Sequence, residues 1–141
     1  MRFLILPILA LLAAPAVAAD YLGEVLAVSD GDTFTMQSET GNVRVRICGT
    51  DAPERGQPGY GQATGVLSNL IEGKTVHCLQ VGEGTVCDGR SKPTSRDRVV
   101  AQCFMGKLDI AEEMTKSGTA CDWPKFSGGR YKIGELTCSH K

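Results

Sequence analysis

Residues 21–48 read YLGEVLAVSDGDTFTMQSETGNVRVRIC, and the alternation within them governs the expected fold. Apolar and polar residues alternate in three short runs, which is the pattern of strands with one buried face. Turn residues separate the runs at Asp30-Gly31-Asp32 and at residues 39–42, where Gly41 is the expected position of positive φ. The sequence therefore predicts a meander of strands linked by hairpins.

The third run carries two arginines on a defined face. Val43, Val45 and Ile47 alternate with Arg44 and Arg46. Because successive side chains of a strand point to opposite faces, both arginines are expected on the face opposite the aliphatic residues.

Two helices are predicted farther along the chain. Apolar residues within 63–71 fall at helical spacing, and Gly73 is expected to end that helix. Asp109 and Glu112 resemble a capping box at the start of a second helix, which Gly118 would end.

The remaining strands complete the expected architecture. Residues 75–79 and 99–105 are predicted strands, and residues 80–96 between them predict an exposed polar loop. About five strands, with a helix between the third and the fourth, fit an α+β, mainly β fold. The predicted architecture is a five-stranded Greek-key barrel of the OB type with two or three helices packed outside.

The first 19 residues predict a secretory signal peptide. A basic start, Met1-Arg2, precedes an apolar run and an Ala16-Val17-Ala18 cleavage signal. The run is short and interrupted by proline, which disfavours a membrane span, although a retained anchor is the alternative interpretation. The expected mature protein, residues 20–141, is one small monomeric domain, secreted or periplasmic, without stable membrane association.

The cysteines all lie in this mature part: Cys48, Cys78, Cys87, Cys103, Cys121 and Cys138. An even number of cysteines after a signal peptide favours disulfide bonds in an oxidising compartment. Cys78 and Cys103 lie on the predicted strands that flank the polar loop and are the favoured pair, and Cys121 with Cys138 would tie down the tail. The pairing of the other two is left open. A zinc site with histidine ligands is the competing interpretation, and no C-x-x-C spacing supports it.

The net charge of −1 limits the classes of function. Proteins that hold nucleic acid mainly by releasing counterions from its backbone are basic. Any action of this chain on nucleic acid therefore requires local arginines and a bound cation.

Five side chains form the candidate site. Asp32 opens a strand and Asp51 follows one, and two such carboxylates with a carbonyl and waters suit Ca²⁺. Glu54 lies close enough in sequence to hold a water beside the metal. Arg46 and Arg98 carry the planar, permanently charged fork that binds phosphate. Taken singly, a plain turn, a proline-containing loop and solvated strand charges are the ordinary interpretations.

Together these motifs resemble the staphylococcal nuclease family, also called the thermonucleases. The resemblance lies in Asp30-Gly31-Asp32-Thr33, in Arg46 followed by Asp51-Ala52-Pro53-Glu54, and in Arg98 on the strand after a polar loop. It covers residues 30 to about 118. The resemblance implies an OB-type barrel and a Ca²⁺-dependent endonuclease that hydrolyses phosphodiester bonds of DNA, RNA or both.

The resemblance also implies a role for each site residue. Three groups would bind Ca²⁺: the side chains of Asp32 and Asp51 and the backbone carbonyl of Ala52. Glu54 would activate or orient the attacking water. Arg46 and Arg98 would hold the phosphate and offset the charge that develops on it. The implied substrate is single-stranded or locally unpaired nucleic acid.

The chain departs from the family pattern before Arg98. Family members often have Tyr-Gly there, whereas this chain has Arg96-Asp97, which removes an aromatic contact and positions Asp97 to pair with Arg98. Weaker binding of the substrate is therefore expected.

Three aromatic residues near the C-terminus have two interpretations. Trp123, Phe126 and Tyr131 either stack on bases or pack against the fold.

Two other functions stay open besides the nuclease. One is a non-catalytic OB-fold module, related to the same family, that binds nucleic acid or another partner, and the acidic balance favours it. The other is a disulfide-rich structural domain. The presence of all five functional side chains favours the nuclease.

Overall fold

The structure is a computed structural model and describes residues 19–134. The predicted signal peptide, apart from Ala19, lies outside the described residues, and so does Cys138 of the predicted Cys121–Cys138 pair. Between residues 19 and 134, no helix has the length and apolar character needed to cross a membrane.

The described residues form nine strands and three helices. In chain order these are β1 (Asp20–Asp30), β2 (Thr33–Ser38), β3 (Gly41–Ile47), β4 (Thr50–Asp51), α1 (Tyr60–Ile71), β5 (Thr75–Gln80), β6 (Thr94–Ser95), β7 (Arg98–Met105), β8 (Leu108–Asp109), α2 (Ile110–Lys116), β9 (Cys121–Asp122) and α3 (Pro124–Ser127).

Five of these strands close into a barrel. β1 pairs antiparallel with β2 and with β5, β2 pairs with β3, and β5 pairs with β7. A parallel pairing between β3 and β7, from Val45 opposite Val99 to Ile47 opposite Ala101, closes the ring. This strand order is that of an OB-type barrel, so the predicted α+β, mainly β fold is confirmed.

The hairpin between β2 and β3 sets the position of Arg46. Thr33 is the register partner of Arg46, so the turn that carries Asp32 lies next to this arginine. Val45 and Ile47 are fully buried, whereas Arg46 lies on the other face and is half-buried. The predicted division of faces along this strand is therefore confirmed.

The core fills the barrel and the space beneath α1 and α2. Its largest fully buried side chains include Phe34, Met36, Ile47, Leu67, Ile110 and Met114. Each such side chain contributes about 1.5–3 kcal/mol relative to an exposed one, so the core is the main source of stability.

Two disulfide bonds connect distant parts of the described chain. Cys78 and Cys103, the pair favoured from the sequence, are bonded and lie opposite each other on β5 and β7. Cys48, just after β3, is bonded to Cys87. These four sulfurs are thereby accounted for as disulfides rather than as zinc ligands.

The predicted exposed loop over residues 80–96 is only partly exposed. Val81 and Cys87 are buried, and the short strand β6 within the loop pairs with β7. The physical reason is the Cys48–Cys87 bond, which draws the middle of the loop onto the barrel.

The C-terminal segment is fixed by a buried hydrogen-bond network. Asp109 Oδ1 accepts from the Ala111 N–H and caps α2, while Asp109 Oδ2 accepts from Gln102 Nε2 at 2.9 Å and from the Tyr131 hydroxyl at 2.8 Å. Tyr131 is 1% exposed, so of its two interpretations the structure favours packing over stacking on bases. Burial, together with the Asp109 carboxylate, raises the pKa of Tyr131 far above its usual value, so the hydroxyl stays a donor.

Tyr131→Phe is expected to lower the free energy of unfolding by about 1–2 kcal/mol, because the buried Asp109 carboxylate loses a donor that water cannot replace. Tyr60→Phe is the matched control. The Tyr60 hydroxyl donates to the Ser29 carbonyl near solvent, so its loss should cost less than about 0.5 kcal/mol. Urea unfolding of both variants measures the difference, and equal losses would contradict the proposed role of the buried network.

Candidate active site

A cleft of about 330 Å³ opens where the end of β3, the strand β4 and the start of β7 meet. Its lining includes every side chain of the candidate site: Asp32, Arg46, Asp51, Glu54 and Arg98. Residues far apart in sequence thus converge on one surface.

A tight turn between β1 and β2 places Asp32 in the cleft. The Asp30 Oδ1 accepts from the Asp32 backbone N–H at 3.1 Å, which closes the turn between β1 and β2. Gly31 at its centre lies against two side chains: a Cβ built there would fall 2.6 Å from the Cβ of Ala52 and 2.7 Å from the Cβ of Ala63. The absence of a side chain at Gly31 therefore lets the turn approach the loop that carries Asp51.

The Asp32 carboxylate is buried and hydrogen-bonded. Its Oδ2 accepts from the Ala52 N–H at 2.9 Å, and its Oδ1 accepts from the Thr33 hydroxyl at 3.0 Å. Burial raises the pKa of Asp32 to about 7, although the neighbouring Arg46 guanidinium acts in the opposite direction.

Arg46 lies between two carboxylates. Its Nη2 is 3.2 Å from Asp32 Oδ2 and 3.3 Å from Asp51 Oδ1, and its Nη1 donates to the Ile47 carbonyl. The carboxylates of Asp32 and Asp51 therefore both point toward the guanidinium of Arg46.

The oxygen atoms around this guanidinium are of the kind that a hard cation prefers, although a cation there would have to displace Arg46 Nη2 from between Asp32 and Asp51. Among residues 19–134, no group of three His, Cys, Asp or Glu side chains is arranged to hold a metal. The ligands available from the protein would be the carboxylates of Asp32 and Asp51 with a backbone oxygen such as that of Ala52, and solvent would have to complete the shell. An all-oxygen set of this kind fits Ca²⁺ and does not fit structural zinc.

Asp51 is held by a strand from the far end of the chain. In the two-stranded sheet of β4 and β9, Thr50 pairs with Asp122 and Asp51 pairs with Cys121. The Trp123 N–H also donates to the Gly49 carbonyl at 2.9 Å. The position of the Asp51 carboxylate therefore depends on the C-terminal segment.

Glu54 lies at the exposed rim of the cleft, in a turn closed by Gln57. The Glu54 N–H donates to Gln57 Oε1 at 2.8 Å, and the Gln57 N–H donates to the Glu54 carbonyl at 2.9 Å. Within the described chain, no cationic side chain forms an ion pair with the Glu54 carboxylate. It is therefore accessible to water and to a substrate.

Arg98 is held only by neutral oxygens. It donates from Nε to the Ser95 carbonyl at 3.4 Å, from Nη2 to Ser95 Oγ at 3.2 Å, and from Nη1 to Thr33 Oγ1 at 3.4 Å. Over residues 19–134 no carboxylate forms an ion pair with it. The guanidinium lines the cleft, where it can bind an anion.

Asp97 does not neutralise Arg98, contrary to the expectation from their adjacency. It forms an ion pair with Arg44 instead, with 2.7 Å between Arg44 Nη1 and Asp97 Oδ2. The hydrogen bond from Arg44 lowers the pKa of Asp97 below its usual value. Asp97 lies in the turn just before β7 begins, and its carboxylate is directed to Arg44.

Two aromatic residues also line the cleft. Trp123 and Phe126 are half-buried, and their rings meet edge to face with centroids 4.6 Å apart. They line the same cleft as Arg46 and Arg98.

The sequence assigned no supporting role to the residues that position the site. Thr33 and Ser95 hold Arg98, Asp30 closes the turn before Asp32, and Asp122 pairs beside Asp51. The turn at Asp30-Gly31-Asp32 was predicted from its residue types, but the hydrogen bond that closes it was not. The other contacts join residues far apart in the chain and leave no local signal.

The cleft as a whole is acidic. Four carboxylate residues line it, Asp30, Asp32, Asp51 and Glu54, against two arginines. A polyanion would be poorly attracted to this surface unless a cation reduced the negative charge.

Comparison with curated proteins relates this chain to bacterial proteins named uncharacterized endonuclease. The one from Haemophilus influenzae is 30% identical over 105 residues, which is 73% of this chain and 53% of that protein. Those from Escherichia coli and Escherichia coli O157:H7 are each 41% identical over 63 residues, which is 44% of this chain and 40% of each relative. No protein-family model matches the chain.

This chain spans about half or less of the length of those relatives. The similarity supports a relationship to proteins named endonucleases without singling out the staphylococcal nuclease family.

Gly31→Ala is expected to lower the free energy of unfolding by about 1–3 kcal/mol, because the added methyl group overlaps two neighbouring side chains. Gly65→Ala, inside α1, is the matched control: a Cβ there meets nothing within 4 Å. The gain in helix propensity should make this control neutral or more stable by up to about 1 kcal/mol. Chemical denaturation of both variants is the measurement, and an unchanged Gly31→Ala protein would show that this close approach is unimportant.

Proposed function

We propose that the protein is an exported, Ca²⁺-dependent endonuclease of the thermonuclease type that hydrolyses phosphodiester bonds of single-stranded or locally unpaired DNA or RNA. The observation that carries this proposal is the convergence of five side chains in one cleft: Asp32, Arg46, Asp51, Glu54 and Arg98. The names of the bacterial relatives support the nuclease class.

The two arginines bind the scissile phosphate. Within residues 19–134 the hydrogen bonds of Arg98 go to neutral oxygens and it forms no ion pair, so its guanidinium can bind an incoming phosphate. Arg46 is shared between Asp32 and Asp51 and lies where it can reach the phosphate from the other side. Donors fixed in this way are most effective when negative charge grows on the phosphate oxygens in the transition state.

The carboxylates of Asp32 and Asp51, with the Ala52 carbonyl, hold Ca²⁺. The bound ion supplies Lewis-acid stabilisation and offsets the acidity of the cleft. The buried hydrogen bonds from Ala52 and Thr33 fix the Asp32 carboxylate, so its direction is set before the substrate arrives.

Glu54 activates or orients the attacking water. Its exposed carboxylate is unpaired among residues 19–134 and lies on the wall of the same cleft, so it can accept a proton from a water held near the phosphate. The turn closed by Gln57 limits where that carboxylate can reach.

Export is proposed from the predicted signal peptide and from the disulfide bonds. Disulfides persist mainly in oxidising compartments such as the periplasm and the exterior of the cell. The two bonds, Cys48–Cys87 and Cys78–Cys103, are consistent with such a location.

A non-catalytic binding module is the second candidate. The acidic lining of the cleft and the pairing of Arg46 with two carboxylates favour it, because both reduce the attraction for a polyanion. Catalysis in the presence of Ca²⁺ separates the two candidates.

Glu54→Gln is expected to reduce kcat by about 100- to 10,000-fold through loss of the proton acceptor. Arg98→Ala is expected to reduce kcat/KM by about 100- to 1,000-fold through loss of a phosphate donor. Glu39→Gln and Arg130→Ala, at exposed positions outside the cleft, are the matched controls and should retain activity. The measurement is cleavage of a labelled single-stranded oligonucleotide with Ca²⁺ and with chelator.

Absence of cleavage under every condition would refute the nuclease. Cleavage that survives both Glu54→Gln and Arg98→Ala would refute the assignment of these residues.

Asp51→Asn is expected to weaken Ca²⁺ binding measured by isothermal titration calorimetry, because an amide lacks the charge that a hard cation prefers. Asp88→Asn, on the exposed loop outside the cleft, should bind Ca²⁺ like the unmodified protein. Equal affinity of the two variants would place the cation elsewhere.

A further inference from the structure

We propose that the Cys48–Cys87 disulfide positions one wall of the cleft, and through it Arg98, so that the site loses most of its activity when this bond is reduced. The inference rests on the proposed function and adds a form of regulation to it. Three observations support it: the Cys48–Cys87 bond lies next to the cleft, the loop attached to Cys87 contacts cleft residues, and the Cys78–Cys103 bond lies elsewhere, in the main core.

The bond lies directly beneath the cleft. Cys48 lines the cleft two residues after Arg46, and Cys87 is fully buried. The Cys48 N–H donates to the Ala101 carbonyl at 2.8 Å, which attaches this half of the disulfide firmly to β7. The other half belongs to residues 82–97, here called the wall loop.

The middle of the wall loop is hydrogen-bonded to the backbone of Cys87. The N–H groups of Arg90 and Ser91 both donate to the Cys87 carbonyl at 2.9 Å. Ser91 lines the cleft, so its position follows that of Cys87. The apolar cluster around the bond is small, with Val81 and Val100 as its other buried members. Val86 also packs against this cluster and donates its N–H to Gln102 Oε1 at 3.0 Å, so without the disulfide the loop after Val86 would be the part held by few apolar contacts.

The same loop holds the phosphate-binding arginine. Ser95, near the end of the wall loop, accepts from Arg98 through both its carbonyl and its hydroxyl. Ser95 is also held by the pairing of β6 with β7, so movement of the middle of the wall loop would loosen, rather than remove, two of the three hydrogen bonds described for this guanidinium. Phe126, which also lines the cleft, packs against the cluster that contains the disulfide.

The second disulfide has no such connection. Cys78 and Cys103 are direct partners in the pairing of β5 with β7 and belong to the main core. Backbone hydrogen bonds already hold these strands together. Loss of the Cys78–Cys103 bond should therefore reduce stability without moving the cleft.

A dithiol reductant would lower the activity of the site. The S–S bond of Cys48–Cys87 takes up two electrons and two protons and becomes two thiols, while the reductant's two thiols become a disulfide. The middle of the wall loop then loses its covalent bond to the barrel, while β6 stays paired with β7. A chain folded in a reducing compartment would thus have a barrel without an organised cleft, which would protect the nucleic acid of the producing cell.

The test compares two double variants, Cys48→Ala/Cys87→Ala and Cys78→Ala/Cys103→Ala, at a temperature where circular dichroism shows both to be folded. We expect the first to lose about 10- to 100-fold in kcat/KM, because misplacement of catalytic groups is costly. The second should have a lower melting temperature and nearly unchanged kcat/KM. Ser95→Ala, which removes only the hydroxyl acceptor of Arg98, should lose activity in the same direction with its melting temperature unchanged.

Dithiothreitol gives an independent readout. It should inactivate the unmodified protein before the far-ultraviolet circular dichroism changes, and it should have little further effect on Cys48→Ala/Cys87→Ala. Equal losses of activity in the two double variants, or full activity without the Cys48–Cys87 bond, would overturn the proposal. So would full activity of Ser95→Ala.

Hydrogen exchange separates this proposal from the proposed function. If the unmodified protein cleaves nothing, exchange at residues 88–98 still reports the loop: it should rise in Cys48→Ala/Cys87→Ala and stay unchanged in Cys78→Ala/Cys103→Ala. Unchanged exchange in both would refute the positioning role even then. If Cys78→Ala/Cys103→Ala does not fold, Ser95→Ala and the dithiothreitol experiment decide the matter.

Discussion

The parallel pairing of β3 with β7 is the constraint on which the rest of the structure depends. It closes the barrel, and its register places Arg46 opposite Val100. Arg46 and Arg98 therefore emerge on neighbouring strands into the same cleft. Without this pairing the strands would form an open sheet, and the two guanidinium groups would have no common target.

The local part of the fold could be predicted from the sequence. Alternation along residues 43–47 gave the faces of β3, and the glycines after both long helical runs marked their ends: Gly73 and Gly118 have positive φ in the structure. These features depend on residues close together in the chain, which is where periodicity and turn chemistry are informative. The periodicity of the sequence did not indicate which charged residues come together in the cleft. That expectation came from the resemblance to the staphylococcal nuclease family.

The supporting contacts of the cleft could not be predicted in this way. The Cys48–Cys87 bond, the hydroxyl of Thr33 on Arg98, and the pairing of Asp51 with Cys121 join residues 39, 65 and 70 positions apart. Each of these contacts forms only when the barrel closes, and a short segment of sequence contains no information about that closure. The polar loop looked exposed for the same reason, since composition does not reveal a covalent tie to the barrel.

The pairing of β4 with β9 has a consequence for the order of assembly. Thr50 and Asp51 are positioned by Asp122 and Cys121, so the loop that presents Asp51 cannot be completed until residue 122 has emerged. The hairpins of β1, β2 and β3 can form much earlier, because their partners are neighbours in the chain. During synthesis, the cleft is thus among the last parts of the molecule to form.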